Sequence, residues 1–280
     1  MLSTIAQIGD LVSQIGGDRI ESQVLVQREL NPHIYELVKG DDEKISSAAV
    51  IFYNGLGLEH GASVVAMIGA HPNAIALGDA IVTKLPQEIL YKEGQVDPHI
   101  WMDISLWKET VDPITEALSQ IDPLGTSYFE ERAFTLKENM DRKHCELVMR
   151  LQSIPENKRY LVTSHDAFHY FTRRYLAEPS EKDWGKRFAA PEGLAPDGQL
   201  NPVDLQKIVE HLKMHHIETL FPESNVSRDS IRKIADAGKK LGLNVRLCLD
   251  ALYGDAMQGT YLEAMDHNAE VIVRHLKGES

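Results

Sequence analysis

Apolar residues Ile5, Ile8, Leu11, Val12 and Ile15 recur at intervals of three and four, which predicts an amphipathic helix over residues 3–17 that the pair Gly16-Gly17 ends. The run Val24-Leu25-Val26 reads as a strand leading into Asn31-Pro32-His33, and residues 48–53 read as a second strand closed by Asn54-Gly55. Residues 62–68 suit a helix. The second half repeats the grammar, with strands over 160–163, 217–221 and 245–249 and helices over 168–175, 205–214 and 231–241. Strand, turn and helix alternate throughout. That alternation predicts an α/β protein of two lobes, each with a largely parallel sheet flanked by helices.

Between the halves, Phe129, Ala133, Leu136, Met140, Leu147 and Leu151 hold one face at helical spacing while charged residues fill the rest. About 25 residues of helix would be roughly 37 Å long, the size of a whole lobe, so this segment is expected to connect the two. The expected organisation is an N-terminal lobe over 1–126, a connecting helix over 127–153 and a C-terminal lobe over 154–280. Residues 178–201 carry Pro, Gly, Asp and Trp184 without periodicity and read as a long loop over the second lobe.

Composition narrows the function. The chain has 280 residues, 43% of them hydrophobic, enough for an ordinary core. Its formal net charge of −13 repels phosphate backbones and anionic membrane surfaces, and no lysine or arginine block offers an exception. Nucleic acid is therefore not an expected partner. No stretch approaches the roughly 20 apolar residues needed to span a bilayer. Met1-Leu2-Ser3 lacks the basic and apolar segments of a signal peptide, which fits a cytoplasmic protein or a mature domain whose leader has been removed. Cys145 and Cys248 belong to no CxxC pair, so cysteine-ligated zinc is not expected, and both read as buried, inert thiols.

Three of the twelve histidines sit in short motifs, Asn31-Pro32-His33, Asp97-Pro98-His99 and Thr163-Ser164-His165-Asp166, and a carboxylate follows in Leu252-Tyr253-Gly254-Asp255. Imidazoles suit zinc, iron and manganese, and one carboxylate leaves such a site near +1 with a divalent ion. A preceding proline fixes one backbone dihedral and helps to aim the ring. Ligands so far apart in sequence meet only if the protein folds around the ion, which favours a metal carrier over a local zinc finger. His215 and His216 read as a solvated helix end. His169 follows His165 by four residues, but without HExxH a metalloprotease site is not supported.

The series Asn31-Pro32-His33-Ile34-Tyr35-Glu36, Asn54-Gly55-Leu56-Gly57-Leu58-Glu59, Asp97-Pro98-His99-Ile100-Trp101-Met102-Asp103, Thr163-Ser164-His165-Asp166-Ala167-Phe168 and Leu252-Tyr253-Gly254-Asp255-Ala256-Met257 resembles the metal-binding components of zinc, manganese and iron ABC importers. The match is to the TroA-like and ZnuA-like cluster, nearest to its TroA and YtgA branches, and it runs in order over nearly the whole chain. The resemblance implies a bacterial, periplasmic or otherwise extracytoplasmic monomer. It implies two α/β lobes joined by one long helix, with a divalent ion (Zn, Mn or Fe) held by His33, His99, His165 and Asp255 and passed to ABC permease subunits. On this reading His33 and His99 belong to the first lobe, His165 and Asp255 to the second, and no catalysis is performed. Asp250 is the competing late carboxylate.

Three departures stand out. Asn31 replaces the usual aspartate, the histidine-rich loop of many zinc members is absent from residues 60–95, and the family's leading strand is expected ahead of Ser3, which implies a removed leader and a clipped first strand. The rival readings are a metal-dependent hydrolase, with Asp166 or Glu223 as base, and an adhesin-like surface protein with a structural metal.

Overall fold

The computed structural model describes residues 1–27, 30–195, 200 and 202–278. The chain forms two compact units, Met1–His144 with Asp255–Glu263, and Cys145–Gly254 with Ala264–Ser280. In the first unit, β1 (Leu2–Ser3), β2 (Gln23–Val24), β3 (Ile51–Tyr53) and β4 (Ala74–Ala76) form one parallel sheet in the order β2-β1-β3-β4. Leu2 and Ser3 therefore occupy the interior of the sheet. The predicted first helix is Ala6–Gly16, and Ile8, Leu11, Val12 and Ile15 are its buried stripe. Leu2, Leu25, Val26, Ile45, Ile51, Val64 and Ile68 pack together on the sheet. An antiparallel hairpin, β5 (Tyr91–Lys92) and β6 (Gln95–Val96), leads directly into Asp97-Pro98-His99.

In the second unit, β7 (Leu161–Val162) pairs in parallel with β8 (Phe188–Ala189), and β9 (Thr219–Leu220) with β10 (Arg246–Leu247). The Phe221 N–H donates to the Val162 carbonyl at 2.8 Å and joins the two pairs. Val162, Ile208, Leu212, Leu220, Ile231, Ile234 and Val245 form the core between these strands and the helices Pro202–Met214 and Asp229–Lys240. One helix of 27 residues, Thr126–Gln152, begins in the first unit and ends in the second, and its buried side chains are the six apolar residues picked out by spacing.

Three expectations need correction. The segment 178–201 is not all loop, because it contributes β8 and the 3₁₀ turn Trp184–Arg187. A two-residue parallel strand needs no alternation to form. It is anchored by Arg187, which donates to Glu181 at 2.6 Å and to the Glu156 carbonyl at 2.9 Å. The part of that segment at 196–199 and 201 lies outside the described residues. The predicted helix over 168–175 is one α turn, His169–Phe171, continued by a π-type turn, Thr172–Leu176. Cys248 is buried, but Cys145 is exposed on the polar side of the long helix, and both are free thiols. No helix among the described residues is long and apolar enough to cross a membrane.

Candidate metal centre

His33 lies on the loop after β2, beyond the carboxyl end of a parallel strand, where open α/β sheets place ligand groups. The Asn31 Oδ1 accepts from the His33 N–H at 2.8 Å and closes the turn around Pro32. Glu36 accepts from the N–H groups of Ala62 and Ser63 at 2.8 and 2.9 Å, satisfying the open amino end of the helix Ala62–Ala70. The first motif is thus tied to the unit on both sides of its histidine. The His60 ring stands 5.6 Å from that of His33.

The second motif is a turn folded around a buried acid. Gly55, Leu56 and Gly57 all have positive φ, +74°, +56° and +80°, a conformation glycine adopts readily and leucine does not. The turn wraps Glu59, whose carboxylate accepts from the Asn54 N–H, the Gly55 N–H and the Thr4 hydroxyl at 2.8, 3.0 and 2.6 Å. Burial raises the Glu59 pKa, and these three bonds oppose the rise. Asn54 in turn donates from Nδ2 to the Pro98 carbonyl at 3.0 Å, so the acid-centred turn holds the residue next to His99.

Asp97 serves His99 twice. Its Oδ1 accepts from the His99 N–H at 3.0 Å and lies 2.7 Å from the ring Nδ1. A carboxylate there fixes the tautomer that leaves Nε2 as the donor to a metal. The Asp103 Oδ1 accepts from the Ser105 N–H and starts the next helical turn, and the Tyr261 hydroxyl donates to the Trp101 carbonyl at 2.6 Å.

Asp255 differs from expectation in one respect. Residues Asp255–Glu263 pack with the first unit, although the sequence places them after the strands of the second. Gln7 explains this locally by donating to the Asp255 carbonyl at 2.9 Å, and the Tyr261 N–H donates to Asp10 at 2.9 Å. The Asp255 carboxylate therefore meets His33 and His99. The two Nε2 atoms are 3.2 Å apart, and the Asp255 oxygens lie 3.5 Å from His33 Nε2 and 3.4 Å from His99 Nε2, all in side chains without solvent exposure.

These distances decide what the site suits. A tetrahedral ion with bonds of roughly 2.0 to 2.2 Å separates its donors by about 3.3 to 3.6 Å. The Nε2–Nε2 distance is close to this, and each imidazole nitrogen faces a different Asp255 oxygen at a similar distance, so the carboxylate can bind through one oxygen or both. Electrostatics agree. Burial favours loss of a proton from His99, but the charge of Asp97 and the proximity of Asp255 outweigh it and raise its pKa to about 9. The surrounding carboxylates therefore favour positive charge at this site.

His165 belongs to the second unit, at the end of β7. Glu223 Oε1 accepts from the N–H groups of Ser164 and His165 at 3.0 and 2.9 Å, and Oε2 lies 2.7 Å from His165 Nδ1. A side chain at Gly254 would collide with that carboxylate, so glycine is required where the loop passes it. Glu223 thus stands to His165 as Asp97 stands to His99. Glu223, the base in the rival hydrolase reading, here supports a ligand instead. Its place just past a strand end was the available signal for a site role.

The remaining candidates are placed elsewhere. Asp250 is half exposed and paired with Arg274, the His215 ring stacks on Tyr160 at 4.4 Å, and the His169 ring meets Phe188 edge-on at 4.6 Å.

Buried imidazoles and a carboxylate gathered at the separations that one metal ion imposes on its donors, in an α/β fold, define a metal-binding protein. Residues 1–275 match the family described as zinc-uptake complex component A, periplasmic, and the chain belongs to that family. It is 40% identical to the metal-binding protein YtgA of Chlamydia pneumoniae over 99% of this chain and 86% of that protein. It is 33% identical to the manganese-binding lipoprotein MntA of Bacillus subtilis over 98% of this chain and 89% of that protein. The crystal structure of Fe(III)-bound YtgA from Chlamydia trachomatis superposes with a TM-score of 0.95 at 36% identity, covering 99% and 97% of the two chains.

Proposed function

We propose that the protein is the extracytoplasmic solute-binding component of a zinc, manganese or iron ABC importer, and that it carries one divalent ion as cargo to the permease. The observation that carries this reading is the buried meeting of His33, His99 and Asp255, with the two Nε2 atoms 3.2 Å apart and each within 3.5 Å of an Asp255 oxygen. His165, aimed by Glu223, supplies the fourth donor. The resulting set of three imidazoles and one carboxylate suits any of the three metals. The working organisation is a first lobe over 1–126 that also takes in Asp255–Glu263, a connector over 127–153 and a second lobe formed by the rest of 154–280, and the carrier acts as a monomer.

The protein performs no catalysis on this reading. A hydrolytic centre needs a base near an open coordination position, whereas the Glu223 carboxylate is committed to the His165 ring and two N–H groups. Elemental analysis of protein from its native compartment, followed by competition among Zn(II), Mn(II) and Fe(II), tests the proposal. One ion per chain that exchanges on a transport timescale is expected, along with a higher Tm, because a ligand held by the folded state stabilises it. Phosphatase or esterase activity in the loaded protein would overturn it in favour of a hydrolase, and a metal that does not exchange would favour a structural role.

A further inference from the structure

A second set of metal donors lies wholly within the second unit, away from any motif that the carrier function uses. Cys248 follows β10, and its N–H donates to the Leu220 carbonyl at 2.8 Å, so the thiol is held on the sheet. His275 comes from the helix Tyr261–Lys277, and its ring meets Phe221 edge-on at 6.1 Å. Asp250 stands two residues beyond Cys248, with an oxygen 3.8 Å from His275 Nε2. The sulfur, one ring nitrogen and one carboxylate oxygen lie within 4.8 Å of one another.

We propose that Cys248, His275 and Asp250 form a second, weaker site for a thiophilic divalent cation such as Zn(II) or Co(II). Three features support it. Neither His275 ring nitrogen has a hydrogen-bond partner among the described residues, although both are buried. Asp250 is half exposed, so water can complete the coordination sphere from the solvent side. The donor types, sulfur, nitrogen and oxygen, select Zn(II) or Co(II) over Mn(II), which prefers oxygen.

Charge sets the rank of the two sites. Arg274 already pairs with Asp250, and Arg246 and Arg228 add positive charge nearby, which opposes a divalent ion. The central site faces no such cations in the interactions described above. Burial raises the Cys248 pKa, so a metal bound there has to displace the thiol proton. On binding, the S–H bond breaks, a sulfur–metal bond forms and the proton leaves to solvent, with no change of oxidation state.

Co(II) titration tests the proposal, because a thiolate ligand adds a charge-transfer absorption in the near ultraviolet that imidazole and carboxylate do not. The titration uses the full chain carrying Cys145→Ser, which removes the exposed thiol. The first equivalent should give no thiolate band and the second should bring it in. Cys248→Ser should abolish the band while leaving the first equivalent bound, which also verifies the fold. His275→Gln should weaken the second equivalent by more than the roughly tenfold that loss of an outer partner costs. Asp255→Ala should retain the band. No band at saturating Co(II), or a band that survives Cys248→Ser, would overturn the second site.

Discussion

Asn31-Pro32-His33 and Asp97-Pro98-His99 share one local design and differ in one atom that matters. In both, a side-chain oxygen two residues earlier accepts from the histidine N–H, at 2.8 and 3.0 Å, and proline stiffens the turn between. Asp97 adds a negative charge 2.7 Å from the His99 ring, and that charge helps to hold the His99 proton up to a pKa of about 9. Asn31 is a neutral amide and brings no such charge to His33. The turn shape and the electrostatic tuning of a ligand are therefore separable, and only the tuning changes when aspartate becomes asparagine.

The largest effect should come from removing the carboxylate that both histidines share. Asp255→Ala should lower metal affinity by well over the 10- to 100-fold typical of outer-shell changes, while Asp250→Ala leaves the first equivalent almost untouched. Competition titration on folded variants reads this, and the reverse order would move the ligand to the other turn. Asp97→Asn should make the second motif electrostatically like the first. Affinity should drop by about 10- to 100-fold, and the His99 pKa, followed by NMR, should fall towards its ordinary value.

The pH dependence sharpens the same contrast. His99 has a folded-state pKa of about 9, above the ordinary 6.5, so its proton stabilises the metal-free protein fully below pH 6.5, and that contribution is lost as pH rises through about 9. Metal affinity runs the other way, rising by up to about tenfold per pH unit as this competing proton leaves. In Asp97→Asn the upper end of that window should move down, which affinity measured from pH 6 to pH 9.5 would detect. The smallest effect should be that of Asn31→Asp, which gives His33 the charge it lacks and should raise affinity by less than about tenfold. No change in this variant would mean that the first histidine needs no such partner.

Much of this was legible in the sequence, for stated reasons. The long helix announced itself through Phe129, Ala133, Leu136, Met140, Leu147 and Leu151, all buried. Helical spacing kept over 27 residues is too long a run to be accidental. The strands were legible as apolar runs, but they pair over only two or three residues, so their ends were not. Phe188 and Ala189 escaped because so short a strand has no alternation to show. The return of Asp255 to the first unit was invisible, since it depends on a bond from Gln7, 248 residues away. For the site, the histidine motifs stand out in the sequence, whereas the purpose of the Glu59-centred turn does not. That purpose, carrying Pro98 on Asn54, appears only when the two loops are seen together.

The most direct test of the central claim is X-ray absorption at the metal edge of protein loaded with one equivalent of Zn(II). The account predicts a sphere of nitrogen and oxygen only, with multiple-scattering features of three imidazoles, reduced to two in His165→Ala. Sulfur in the sphere at one equivalent, or a spectrum unchanged by His165→Ala, would contradict it.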